Sequence, residues 1–171
     1  AKAKADAAVK AGLFYGKWLP QLAVGKGQNP RSFDEFGPMA GDLRYVERAA
    51  RKLARSTFYG MARWQAKLEN KQTFLGRIVD IGAELFAISS TVVYADTVGR
   101  EQPERKQEAI ELAQLFCSMA KRRADTLFHE LWANDDDSRY SAAQKVLAGR
   151  YAWLEEGDEL PVVHLQQHLV V

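Results

Sequence analysis

After Asp42 the apolar residues of this chain fall into helical steps. Val46, Ala50, Leu53, Thr57, Met61, Trp64 and Leu68 recur every three or four positions. That spacing predicts one face of a helix running from an N-cap at Asp42 to a stop at Asn70. A second helix carries Leu75, Ile78, Ile81, Leu85, Ile88 and Val92. Its far end, Ser89-Ser90-Thr91-Val92-Val93, is rich in poor helix formers, yet the periodicity predicts continued helix because packing overrides propensity. Gly99 reads as its C-cap and Pro103 as a first-turn residue of the next helix. The third stripe, Ile110, Ala113, Cys117, Ala120, Ala124, Leu127 and Leu131, alternates steps of three and four. This is the spacing of a close helix–helix seam, and its alanines let a neighbour approach. Asn134-Asp135-Asp136-Asp137-Ser138 ends that helix. It caps a fourth, which carries Tyr140, Ala143, Leu147, Tyr151 and Leu154 and closes at Gly157.

Upstream, residues 1–19 read as a short helix, Ala- and Lys-rich and then aromatic at Leu13, Phe14, Tyr15 and Trp18. Pro20, Gly25, Gly27, Pro30, Gly37, Pro38 and Gly41 then predict a loop, pinned to the body by Phe33 and Phe36. The expected fold is all-α. Residues 43–157 form an antiparallel four-helix bundle, preceded by an N-terminal helix and an ordered Pro/Gly-rich connection over 1–42. The core centres on Leu53, Ile81, Leu85, Ala120 and Leu127. A tail, 158–171, has no assigned element.

Composition narrows the function classes. At 171 residues one domain is the default reading and two small ones the alternative, with enough chain for a full core. With 47% hydrophobic and 27% charged residues it is not a disordered chain. A net charge of +2 excludes a strong general attraction to nucleic acid. The single cysteine, Cys117, excludes an intrachain disulfide framework and a Cys-rich zinc site. It fits a reducing compartment, so a cytoplasmic location is expected. The uncharged stretch 85–95 has 11 residues, short of the roughly 20 of a spanning helix. The opening AKAKADAAVKAG lacks the apolar centre of a signal peptide. The first residue is not Met, which fits a processed form or a fragment.

The candidate chemistry is sparse. Gly25-Lys26-Gly27 has neither the preceding strand nor the spacing of a phosphate loop. Asp125 and His129 stand one turn apart, but the other histidines, His164 and His168, lie in the tail, and a metal site needs three or four convergent ligands. Asp80 and Glu84 pair carboxylates one turn apart without the Glu-x-x-His of a di-iron bundle. Asp80 is expected to pair with Arg77 or with a base on a neighbouring helix. Cys117 lies in the Ala-rich seam and reads as buried and inert.

One charge feature stands out. Residues 43–71 hold eight basic residues against two acidic ones. Arg44, Arg48, Arg51 and Arg55 step along a face about 200° from the apolar stripe that begins at Val46. With Lys52 they form either a solvated face with local ion pairs or a docking surface for an acidic protein. Phosphates or an anionic membrane contacted peripherally are weaker alternatives, and nucleic acid is not an expected partner.

Residues 64–100, WQAKLENKQTFLGRIVDIGAELFAISSTVVYADTVGR, resemble the extra C-terminal helical region of very-long-chain acyl-CoA dehydrogenases. Asn70 and Gln72, Arg77 and Asp80, and Glu84-Leu85-Phe86-Ala87 carry the likeness. Glu111-Leu112-Ala113 ahead of Cys117, and the helix from Tyr140 to Leu154, continue it over residues 43–156. The segment RYVERAARKLARSTFYGMARWQ is similar to bacterial dehydrogenases of this kind. The resemblance implies a parent flavoenzyme of fatty-acid β-oxidation that makes a 2-enoyl-CoA from an acyl-CoA. There a Glu takes the α-proton and FAD takes the hydride. It places that Glu upstream of this region, in an aromatic-Glu-Gly-Thr/Ser-Asn context. The only Glu-Gly here, Glu156-Gly157, is followed by Asp158 and Glu159 and does not match. The resemblance therefore implies a domain with no catalytic residue, no metal and no FAD site of its own. Such a domain packs on the dehydrogenase body and supports a homodimer. The competing reading is a free-standing helical module that docks an acidic protein or anionic membrane through its basic face.

Overall fold

A computed structural model of the protein describes residues 2–24 and 32–154. Its helices are α1 (Lys2–Val24), α2 (Ala40–Trp64), α3 (Gln72–Glu101), α4 (Lys106–Glu130) and α5 (Asp136–Leu147). Short 3-10 segments at Asp34–Met39, Gln65–Asn70, Pro103–Arg105 and Ala152–Leu154 complete the described elements. There is no strand among the described residues. The chain divides into two units, residues 1–133 and 134–171.

In the first unit α2, α3 and α4 run up, down and up. Arg77 near the start of α3 reaches Glu130 at the end of α4, and Glu84 meets Arg123. These two helices are therefore antiparallel. The Trp64 ring at the end of α2 meets the Phe74 ring at the start of α3 edge-on at 4.7 Å, which makes α2 and α3 antiparallel as well. The chain turns between α2 and α3 through Gln65, a non-glycine residue with φ of 48°. A Cβ on Gly60 would lie 2.6 Å from the Phe74 ring, so the close approach of α2 to α3 depends on that glycine.

Two clusters fill the interior. Met39, Leu43, Ile88, Val92, Ala95, Ile110, Ala113, Cys117 and Ala120 form one, with Phe33 and Phe36 packed against it as expected. Ala49, Phe74, Ile81, Leu85, Phe128 and Leu131 form the other, with Leu53, Trp64 and Leu127 at its edge. The buried stripes of α3 and α4 follow the predicted spacing, and Ser89–Val93 is helical. The Ser89 hydroxyl donates to the Leu85 carbonyl at 2.9 Å within the helix. On α4, Phe128 is buried where Leu127 was expected, and Leu127 is half-buried one step round the helix.

Several local expectations are corrected, among them the last predicted helix, which ends at Leu147 and does not carry Tyr151 and Leu154. First, the buried face of α2 runs through Leu43, Ala49, Ser56 and Gly60, while Ala50 and Met61 are exposed. Large residues drew the predicted stripe, but close helix packing is built here from small ones. Asp42 is not an N-cap. It is buried inside the first turn of α2, and the α-helix ends at Trp64, leaving Leu68 on the 3-10 segment. Second, α1 passes Pro20 and ends at Val24. Proline removes one backbone donor, and the helix nonetheless continues about one turn beyond it. Tyr15 and Trp18 of α1 hold Phe58 of α2, with ring centroids 5.3 and 6.0 Å apart. Third, α3 continues past Gly99 to Glu101.

The architecture is a helical bundle, with the core of the first unit drawn from α2, α3 and α4. α5 belongs to the second unit and buries none of its residues. Residues 25–31 and 155–171, including Gly25-Lys26-Gly27, Glu156-Gly157, His164 and His168, lie outside the described residues.

Candidate functional site

Of the basic residues of α2, Arg44, Arg51 and Arg55 are half-buried, and several of the five are engaged by their own chain. Arg44 donates to the Ser32 carbonyl at 2.8 Å. Arg51 pairs with Glu47 one turn earlier at 2.5 Å. The Lys52 ammonium sits 4.3 Å from the Phe128 ring centre, a cation–π contact between α2 and α4. Arg55 is also engaged. Arg48 and Lys52 are the exposed members of the five.

Behind this face a polar seam joins α2 to α4. Lys121 donates to the buried carboxylate of Asp42 at 2.6 Å. The Tyr45 hydroxyl donates to Asp125 at 2.8 Å. Burial raises the Tyr45 hydroxyl well above the usual phenol range, and the Asp125 hydrogen bond and charge add to the effect. The phenol therefore stays protonated and acts as a donor across the helix pair, not as a base. Asp125 is thus committed to Tyr45, and no group of three metal-ligating side chains occurs among the described residues.

Glu84, the second member of the Asp80/Glu84 pair, takes Arg123 in a bidentate contact at 2.6 and 2.9 Å. Arg77 reaches Glu130 on α4. These pairs fix the register of α3 against α4. Cys117 is fully buried, and burial pushes its thiol up to about 11, with the Asp42 charge adding and Lys121 opposing. A buried thiol held protonated at neutral pH is a poor nucleophile.

The feature that the sequence reading missed lies on the outside of α3. Val79, Phe86, Val93 and Tyr94 are large apolar side chains exposed by 68%, 73%, 51% and 71%. On α4, Leu112 and Leu115 are exposed too. An open groove of about 470 Å³ runs between the two helices, lined by Tyr94, Val98, Leu112 and Phe116, with Arg105 and Glu108 also at its wall. The signal was present: Val79, Ala83, Phe86, Ser90, Val93 and Thr97 alternate steps of four and three. It went unread because a helix was allotted one apolar face only. Chemically the described surface offers apolar contact and ion pairing.

The described residues form a helical bundle with engaged polar groups and exposed apolar faces. Relatedness supplies the rest. The chain is 56% identical over 154 residues to the probable acyl-CoA dehydrogenase FadE10 of Mycobacterium bovis, and equally to that of Mycobacterium tuberculosis. The match covers 90% of this chain and 24% of each relative. The chain thus spans about a quarter of the length of the curated relatives it matches. It is related to the acyl-CoA dehydrogenases through a segment of that length, as the residues from Trp64 to Arg100 indicated. No family model matches the chain, and no solved structure does.

Proposed function

We propose that this chain is the non-catalytic C-terminal helical domain of an FAD-dependent acyl-CoA dehydrogenase, packing on the dehydrogenase body and supporting assembly of a dimer. The observation that carries the reading is the asymmetry of the match. Identity of 56% over 90% of the chain leaves about three quarters of each relative unaccounted for. The parent reaction would convert an acyl-CoA to a 2-enoyl-CoA, with FAD supplying the hydride acceptor.

The described residues do not form the common dinucleotide cradle, in which a flavin pyrophosphate meets backbone N–H groups of a glycine-rich turn at a helix start. The groove between α3 and α4 is lined by side chains of the two helices and of the Gln102 and Arg105 turn that joins them, with no glycine among them. Glu84 and Asp125 are committed to Arg123 and Tyr45, so neither stands as a base beside an oxyanion pocket. In this reading Arg44, Arg48, Arg51, Lys52 and Arg55 form a salt-sensitive margin of the docking surface, with Arg48 and Lys52 its most accessible members.

The test is to purify residues 1–171, record the flavin absorbance, and assay acyl-CoA oxidation with added FAD and an artificial acceptor. Colourless protein without turnover is expected. Stoichiometric flavin or turnover above the protein-free blank would refute the reading.

A further inference from the structure

α3 carries two apolar seams on opposite sides. The inner one, Phe74, Ile81, Leu85, Ile88, Val92 and Ala95, is buried. The outer one, Val79, Ala83, Phe86, Ser90, Val93 and Thr97, alternates steps of four and three and is exposed throughout. This double loading makes α3 apolar enough by length and composition to cross a membrane, with mean hydropathy 1.5 over 18 residues. Its inner seam, however, is sealed in a protein core, and Glu84 on its flank is fixed to Arg123 of α4.

The outer seam contains no charged residue and spans about 27 Å of helix at 1.5 Å per residue. Large and small side chains alternate along it: Val79, Phe86 and Val93 against Ala83, Ser90 and Thr97. Such a ridge-and-hollow row accepts another helix with matching knobs. An uncharged row gives no ion pair to an acidic or basic partner, so its partner must be apolar. The relatives extend over about four times the matched length, so in a parent chain of that kind most of the polypeptide lies outside this segment and is tethered to it.

Resting on the reading given above, we propose that the outer face of α3, from Val79 to Thr97, is the seat on which a helix of the dehydrogenase body lies. Large apolar side chains of that helix fill the hollows at Ala83, Ser90 and Thr97, and Phe86 inserts into the body. The domain thus docks through a neutral seam, with the basic residues of α2 outside the contact centre.

Three single variants test this, Ser90→Cys on the α3 face, Leu112→Cys on the α4 face and Arg48→Cys on the α2 face. Each is made in the 171-residue chain and in the full-length polypeptide, and alkylation at each site is followed by peptide mass mapping. Ser90→Cys is nearly isosteric and Cys117 is buried, so the reporters are specific. Alkylation of the Ser90→Cys thiol should be fast in the short chain and about tenfold or more slower in the full-length protein, since thiol reactivity follows exposure. Adding Phe86→Asp should restore the fast rate. Equal rates at position 90 in both proteins, with slowing at 112 or 48, would overturn this face while leaving the domain docked. No slowing at any of the three sites would overturn the docked-domain reading itself. Slow alkylation at position 90 already in the short chain, relieved by dilution, would assign the seam to a second copy and overturn the proposal.

Discussion

Lys121 of α4 donates to Asp42 of α2 at 2.6 Å, and the carboxylate it meets is almost fully buried. The pair joins two helices that are separated in the chain by the whole of α3. The two partners are unequal, because Lys121 keeps about a third of its side chain in water. Lys121→Met leaves an unpaired buried carboxylate, whereas Asp42→Asn leaves a lysine that can turn outward. The expected losses are about 2–4 kcal/mol for Lys121→Met and about half that for Asp42→Asn. Urea unfolding of the two variants checks the order. Equal losses would show that the pair contributes only as an exposed contact.

Neighbouring residues on α3 should respond oppositely to truncation. Leu85 is buried and Phe86 is exposed. Leu85→Ala should cost about 2–5 kcal/mol. Phe86→Ala in the same chain should change stability by less than about 0.5 kcal/mol. Denaturation midpoints measured side by side test the assignment of the two faces, and a large loss at Phe86 would show that its face is covered within the chain.

The Cys117 thiol, raised from 9.0 to about 11, links stability to alkaline pH. Below the ordinary thiol range both folded and unfolded states hold the proton, so the contribution is complete. Between about pH 9 and 11 the unfolded chain releases the proton first, and stability falls as pH rises. Tyr45, also raised, adds to the decline at higher pH. Cys117→Ala should flatten the slope of stability against pH between 9 and 10. Thermal melts at several pH values read it, and an unchanged slope would show that the thiol is not desolvated.

Reversing exposed Arg48 to Glu should leave the bundle folded, with a stability change of about 1 kcal/mol or less, whereas reversing half-buried Arg51 and Arg55 as well should cost more, because the Arg51–Glu47 pair is largely covered. In the full-length protein the triple reversal should weaken association and flatten its dependence on ionic strength. Sedimentation across a salt series measures both. Unchanged association would mark these arginines as solvated groups with local partners such as Glu47.

Most of the helical architecture was legible in the chain because α3 and α4 bury large side chains at regular steps. Ile81, Leu85, Ile88 and Val92 stand where their spacing put them, as do Ile110, Ala113, Cys117 and Ala120. α2 was harder to read because Ala49, Ser56 and Gly60 serve closeness rather than hydrophobicity. Asp42 looked like a cap from its position at the start of an apolar stripe, and only its tertiary partner, Lys121, shows why a carboxylate is buried there. Pro20 was read by its local rule as a stop, and α1 continues past it to Val24. The basic residues of α2 were visible as a charge run, but their partners were not. Glu47 is a local partner one turn from Arg51, whereas Ser32 and Phe128 become neighbours only once the chain turns and the helices pair. The outer seam of α3 was present in the spacing, yet its exposure depends on which side α2 and α4 occupy.

The central claim is that this chain is one part of a much longer dehydrogenase polypeptide. The direct measurement is the intact mass and flavin content of the native gene product that contains residues 1–171. The account predicts a product roughly four times the 19.2 kDa of this chain, carrying flavin and oxidising an acyl-CoA. A native product of 19.2 kDa with neither flavin nor acyl-CoA oxidation would contradict it.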